Sequence, residues 1–295
     1  MKKLSIVIAT YNAGATLKQA LDSIKYQIYE NIEVIIVDGG SSDETMKIVK
    51  EYGDVVSKWI SERDNGIYDA FNKGIDIATG DYICFLGSDD CYCNYQVINR
   101  IMGEVDEGVD IISAPIKVID SLSLKETMVR NRRTREEVFS GKMIPHPGIF
   151  TKLSIMKKYR FNESNQIISD YEFLVRYLLD GGVIKFVDFP VVYFAKGGIS
   201  DGKFGSVRWK QRLCEHVVLV SNVGLDKEYS YKVLDNMINF KKRSSAMYHL
   251  EEIVKIILEK IRILDVLRTI KKYARKILRL KVHKCNLKCC RWCER

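Results

Sequence analysis

The sequence predicts an α/β fold: a doubly wound, mostly parallel sheet with helices on both faces, followed by a helical C-terminal extension. Three observations predict it. Short β-branched runs alternate with helix-period stretches through the first hundred residues. The runs are apolar at consecutive positions, as strands covered on both faces are, rather than alternating. From about Gly205 onward the strand signals give way to helical ones.

In order, Leu4 to Ala9 reads as a strand bounded by the turn-prone Tyr11-Asn12-Ala13-Gly14, and residues 15 to 28 place Leu17, Ala20, Leu21, Ile24 and Ile28 at helical spacing. Ile32 to Val37 is a second buried-type strand ending at Asp38-Gly39-Gly40, after which Ser41-Ser42-Asp43 offers N-cap chemistry for a helix to about Tyr52. Val55 to Ser61 predicts a strand, Tyr68 to Ala78 a helix, and Tyr82 to Leu86 a fourth strand running into Gly87-Ser88-Asp89-Asp90. Beyond residue 110 the pattern mixes: Asp110 to Val118 and Val183 to Phe194 read as strands, Asp170 to Leu179 as a helix. The expected organisation is a folded domain over 1–204, in halves 1–108 and 109–204, and a basic helical extension over 205–295. In open parallel sheets ligands bind beyond the carboxyl ends of the strands, which here carry clusters of Asp, Asn and Ser.

With 46% hydrophobic and 29% charged residues, and only 4 Pro and 19 Gly in 295, the chain is neither disordered nor collagen-like. Eight Cys are too few for a disulfide scaffold. The apolar run Leu4 to Ala9 is too short for a signal-peptide core and no segment approaches 18 uncharged apolar residues, so a cytosolic chain with reduced thiols is expected. The net charge of +9 is concentrated: residues 241–295 hold 17 Lys/Arg against 5 Asp/Glu, leaving 30 basic and 33 acidic side chains before them. Ile253, Ile256, Ile257, Ile261, Leu264 and Leu267 lie at 3- and 4-residue steps among Lys255, Lys260, Arg262, Arg268, Lys271 and Lys272, which predicts a basic amphipathic helix. Without interleaved aromatics for base stacking, that helix suits an anionic membrane surface, through residues 250–280, and not nucleic acid. Packing against the folded body is the alternative.

Adjacent carboxylates at Asp89 and Asp90 repel, and a divalent cation bridging a substrate diphosphate would relieve them; a solvated turn is the plainer reading of such a pair alone. The position at a strand mouth, near Asp38, favours the cation. The chain has neither G-x-G-x-x-G nor G-x-x-x-x-G-K-[ST], so phosphates must be held by a metal and basic side chains. His146, pinned between Pro145 and Pro147, is either aimed at an acceptor or metal or is a hydrogen-bonded loop residue. Cys285, Cys289, Cys290 and Cys293, with His283, have poor zinc spacing; lipidation or no function are the other readings. Cys84, Cys91 and Cys93 read as packing residues, since Mg²⁺ and Mn²⁺ prefer oxygen.

Five segments occur in order: Ser5-Ile-Val-Ile-Ala-Thr-Tyr-Asn12, Val37-Asp-Gly-Gly-Ser-Ser-Asp43, Ser61-Glu-Arg-Asp-Asn-Gly-Ile-Tyr-Asp-Ala70, Asn72-Lys-Gly74 and Phe85-Leu-Gly-Ser-Asp-Asp90. Together they resemble the nucleotide-sugar half of a family 2 glycosyltransferase of GT-A fold, over roughly residues 4–200. The resemblance implies that Thr10, Tyr11 and Asn12 line the nucleotide pocket beside Asp38, the counterpart of an aspartate that contacts uracil. It implies that Arg63 and Asp64 lie near the base and diphosphate, and that Asn72, Lys73 and Gly74 help to hold the donor. Asp89 and Asp90 match the metal-binding D-x-D region for Mg²⁺ or Mn²⁺, with Asp90 the expected direct ligand and Ser88 where some members carry a first Asp. Ser169-Asp170-Tyr171-Glu172 resembles the motif of the catalytic base, which makes Asp170 the candidate, with Glu172 as fallback; first-turn acids complementing a helix dipole are the alternative. Gly197-Gly198-Ile199-Ser200 resembles a loop that closes over the donor. The expected reaction is metal-dependent, inverting transfer from a nucleotide-sugar, a UDP-sugar, to a saccharide or lipid-linked acceptor, on the cytoplasmic face of the plasma membrane. A sugar nucleotidylyltransferase is the rival enzyme, but Thr10-Tyr11-Asn12-Ala13-Gly14 lacks its basic glycine-rich loop. A non-enzymatic polyanion- or membrane-binding protein is the other alternative.

Overall fold

The computed structural model describes residues 1–119, 125–195 and 207–222. The basic helix expected over 250–280, the cysteine tail and the Gly197–Ser200 loop lie outside the described residues. One compact unit spans Met1–Leu225; the boundary expected at 204/205 lies outside the described residues.

The first four strands are β1 (Leu4–Thr10), β2 (Ile32–Asp38), β3 (Val56–Ser61) and β4 (Tyr82–Phe85), with α1 (Leu17–Lys25), α2 (Thr45–Glu51) and α3 (Ile67–Ile77) between them. β1 is buried throughout except for half-buried Ala9, and the pleat sends its side chains both ways. Leu4, Ile6 and Ile8 pack in one core with Leu17 and Leu21 of α1 and Val97, Ile98 and Ile101 of α4 (Val97–Gly103). Val7 faces the opposite way, against Gly74 of α3. That two-sided burial is why the strand reads as an unbroken apolar run.

A seven-stranded sheet runs in the order β10 (Ile184–Phe186), β6 (Ile111–Ser113), β9 (Ile149–Lys152), β4, β1, β2, β3. Only β9 is antiparallel, to both its neighbours. A four-stranded sheet orders β5 (Cys91–Tyr92), β11 (Val192–Ala195), β7 (Ile116–Ile119), β8 (Glu126–Val129). The two later strands expected as single runs are each divided between the sheets, at Pro115 and at Pro190. Proline has no N–H for a ladder, so each run leaves the large sheet there and enters the small one. Ala114 N bonds Gly148 O (2.8 Å) and Val191 N bonds Pro115 O (3.0 Å), which anchors the crossings.

Helices α5 (Arg135–Phe139), α6 (Leu153–Tyr159), α7 (Ser169–Leu179) and α8 (Val207–Asn222) complete the unit. The strand order reverses beside β1: β2 and β3 lie on one side, β4 on the other. Loops leaving β1 and β4 diverge there, which opens the crevice where such sheets bind ligands.

Candidate active site

Asp38 closes β2 and is fully buried. Its Oδ1 accepts from the hydroxyls of Thr10 (3.0 Å) and Ser41 (2.5 Å); its Oδ2 accepts from Gly40 N (3.1 Å), Ser41 N (2.9 Å) and the Ser61 hydroxyl (2.8 Å). Burial would raise its pKa, but the Ser41, Ser61 and Thr10 hydrogen bonds hold the carboxyl below the ordinary aspartate value. The ends of β1, β2 and β3 are thereby tied to one anion. Asn12 extends the knot: its amide N donates to Ser41 Oγ (2.8 Å), its Oδ1 accepts from Ser42 N (3.0 Å), and its backbone is left-handed (φ 50°). Asp64 leans onto the same turn, since a Cβ on Gly39 would lie 2.6 Å from its Oδ2. Any larger residue there would have to displace the Asp64 carboxylate. Tyr11 and Arg63 are exposed on the adjoining loops.

Two strand spacings away, about 10 Å, the loop after β4 carries Asp89 and Asp90. A Cβ on Gly87 would lie 2.6 Å from Asp90 Oδ2 and 2.9 Å from Asp89 Oδ1. Both carboxylates therefore converge on one point that glycine leaves open. Asp90 is 2% exposed, and its Oδ1 accepts from Ala195 N (2.9 Å) at the end of β11. Burial pushes its carboxyl up to about 7; Asp89 adds to the rise, while the Ala195 and Gly87 amides oppose it. Asp89 is exposed. Among the described residues no three His, Cys, Asp or Glu side chains form a metal cage. Two converging carboxylates, one buried and starved of positive charge, do suit Mg²⁺ or Mn²⁺ taking its remaining ligands from water and a diphosphate.

The third group gathers around α7. Asp170, half-buried in the first turn, accepts from the Tyr68 hydroxyl (3.0 Å) and from Tyr171 N (2.9 Å). Tyr68 is held neutral, its hydroxyl driven up by burial and then by the Asp170 charge. His146 begins a short 3₁₀ turn, His146–Gly148, and stacks on Phe85 (5.4 Å, 25°) among Phe71 and Phe161. Burial lowers the His146 value, opposed by the Asp170 charge. His146 is a neutral ring in an aromatic box beside Asp170.

The sequence pattern of Glycosyl transferase family 2 fits residues 5–168, more than half the chain. The chain belongs to that family. A PGL/p-HBAD biosynthesis glycosyltransferase of Mycobacterium bovis is 38% identical over 106 residues, 35% of this chain and 41% of that protein, so the match spans about two-fifths of the relative's length. S. aureus TarS 1-349 in complex with UDP-GlcNAc superposes with a TM-score of 0.63 at 19% identity, covering 81% of this chain and 73% of that one. The mannosyltransferase PcManGT of Pyrobaculum calidifontis, in complex with GDP-Man and Mn²⁺, gives 0.60 at 15% identity over 94% and 81%. Those likenesses establish a GT-A fold.

Within this family 2 fold, the structure brings together Thr10, Asn12, Asp38 and Asp64 at the β1–β2 end, Asp89 with Asp90 after β4, and Asp170 with His146 beside α7. Other expected residues serve the frame. Asn72 is 3% exposed and its amide is committed to Phe161 O (2.9 Å), Phe161 N (3.1 Å) and Glu163 (2.7 Å), bracketing α3 to the second half. Lys73 pairs with Glu62 (2.8 Å) and Asp69 (3.6 Å). Glu172 is buried and accepts from Asn162 (3.0 Å) and Asn165 (2.5 Å), with Arg176 at 3.4 Å, so its carboxylate stands inside a closed network. Cys84 bonds Tyr92 (3.4 Å) and packs in the core. Sequence reasoning missed Ser41 and Ser61 as anchors of Asp38 and Tyr68 as the partner of Asp170. All three stand inside the quoted segments, where a hydroxyl beside a carboxylate was the available signal.

Proposed function

We propose that the chain transfers a sugar, with inversion, from a nucleotide-sugar, a UDP-sugar, to the hydroxyl of a saccharide or lipid-linked acceptor. The observation that carries this reading is the convergence of Asp89 and Asp90 over Gly87 at the point where the strand order reverses. Asp89, with the freer oxygens, would be the direct ligand of a divalent ion, and Asp90 would support it. When bound, Mg²⁺ or Mn²⁺ supplies charge compensation for the departing nucleoside diphosphate. Thr10, Tyr11 and Asn12 line the nucleotide side with Arg63 and Asp64. As a carboxylate Asp38 already accepts five hydrogen bonds, so a contact to a base releases one of them; its first task is to set the loop. Asn72 and Lys73 belong to the frame.

Asp170 takes the acceptor proton. Its freedom to do so follows from its bonds: Tyr68 donates to Oδ1, and the bond to Tyr171 N falls on the same oxygen, which leaves Oδ2 for the hydroxyl. His146, neutral and wedged, orients the acceptor side through shape. The basic segment 250–280 is assigned to an anionic membrane surface on the cytoplasmic side, where each Lys or Arg near the surface is worth about 1 kcal/mol. Among the described residues no helix is long and apolar enough to cross a membrane.

The test is a panel of nucleotide-sugars screened for nucleoside diphosphate release with Mn²⁺ or Mg²⁺. D89A and D90A should abolish release while leaving the fold intact by circular dichroism. D170N should bind donor normally and lose transfer; full transfer by D170N removes Asp170 as base. Equal liposome flotation with and without residues 241–295 removes the membrane assignment.

A further inference from the structure

Helix α7 presents Asp170 two residues after its N-cap, Ile168, whose side chain makes no capping bond. The segment that leads into this start is held from α8. Glu215, 7% exposed, accepts from Gln166 N through Oε1 (2.9 Å) and from Ile167 N (2.9 Å) and Ile168 N (3.1 Å) through Oε2. Gln211, one turn earlier, donates to Glu215 Oε1 (3.1 Å) and to the Gln166 side chain (2.9 Å). The peptide joining residues 167 and 168 is held at both ends: its N–H points to Glu215, and its carbonyl lies 3.0 Å from the Tyr68 hydroxyl, whose one proton it shares with Asp170. On the far side of Asp170, His216 stacks on Tyr171 (5.0 Å, 29°), and the Tyr171 hydroxyl is fixed to Val138 O (2.7 Å).

We propose that Glu215 is a positioning residue for sugar transfer: it clamps 166–168 so that Asp170 meets the acceptor hydroxyl at bonding distance. The proposal rests on the reading of Asp170 as base. Glu215 touches neither donor nor acceptor and works only through the segment that carries Asp170. A misplacement of the base by 1 Å costs about 10²-fold in rate.

Full-length E215A and E215Q, each in the wild-type and D170N backgrounds, provide the test. Hydrogen–deuterium exchange is followed at residues 166–172, and diphosphate release is measured from UDP-GlcNAc, UDP-glucose and GDP-mannose with Mn²⁺. E215A should raise exchange at 166–168 at least tenfold and lower kcat by about 10²-fold with KM for the donor within twofold. E215Q keeps the side-chain shape with one acceptor oxygen and should fall between. In the D170N background either change should leave the residual rate untouched, because its route to the reaction is already gone. Equal rate losses in both backgrounds, a loss confined to KM, or unchanged exchange at 166–168 overturns the proposal. Should E215A fail to fold, E215Q carries both arms. If none of the three donors supports release, exchange in E215Q decides alone. Full activity of D170N with raised exchange in E215Q marks instead the failure of the Asp170 reading.

Discussion

Replacing Asp38 separates two ways of losing one anion. In D38N the amide nitrogen is best placed where Oδ1 stood, facing the Thr10 and Ser41 hydroxyls. Both hydroxyls can rotate to accept, so the retained oxygen still serves Gly40 N, Ser41 N and Ser61. Every bond survives, and only the charge assistance is lost, about 2 kcal/mol in total. D38A leaves two backbone N–H groups that cannot turn round, at about 1–3 kcal/mol each, for roughly 4 kcal/mol with the hydroxyls partly re-bonded to water. At roughly 2–4 °C per kcal/mol for a unit of this size, the melting temperature should fall by about 4–8 °C for D38N and about 8–16 °C for D38A. Thermal unfolding followed by tryptophan fluorescence at pH 7 measures both. Because the folded carboxyl is held below its ordinary value, its contribution is complete above the unfolded value of about 3.9 and is lost as the pH falls through the folded one. The D38N penalty should therefore shrink in acid, below about pH 4. A D38A penalty no greater than that of D38N, or a D38N penalty constant down to pH 2, refutes the picture of a five-donor anchor.

Three more outcomes follow from the geometry. G87A puts a methyl group where Asp89 and Asp90 converge, and should lower kcat for release by about 10²-fold, with a shift in melting temperature below that of D38N. Glu33 is buried and, against the push of burial, is held down to about 2 by Lys58 (2.7 Å), the Thr79 amide and the Ser5 hydroxyl. E33Q should cost about 3 kcal/mol above pH 4.5, a difference that disappears as the pH falls through about 2 in acid titrations. N72A, which unlatches α3 from Phe161 and Glu163, should lower stability by about 2–4 kcal/mol while the dissociation constant for UDP, measured by calorimetry, changes less than twofold.

Strands β1, β2 and β4 were legible because burial on both faces leaves an unmistakable apolar run, and the strand-end clusters followed from them. The carboxylates of Asp38, Asp89 and Asp90 lay in those clusters. Division of the later strands was not legible: Pro115 and Pro190 mark where each run changes sheets, but a proline in a sequence marks only an interruption, not the destination beyond it. β9 was missed because Ile-Phe-Thr-Lys is too short to stand out, and its pairing depends on partners some 40 and 70 residues away. The ranking of Asp90 over Asp89 came from motif position, whereas exposure and the Ala195 bond are set by β11, a hundred residues on. Glu215 had no sequence signal at all. One acid within a basic stretch reads as solvated, and only docking of α8 on α7 gives it three amides to hold.

The placement of β9 bears on how the polypeptide is made. Until translation has passed Lys152, the hydrogen-bonding rim of β4 has no neighbour on its outer side, and a nascent chain ending near Gly108 would carry that rim uncovered. Neither half is then a self-sufficient folding unit, and a gene split at 108/109 should yield fragments that assemble only when co-expressed. The acidic loop after β4 thus acquires its final form only once later residues have zipped the sheet shut around it.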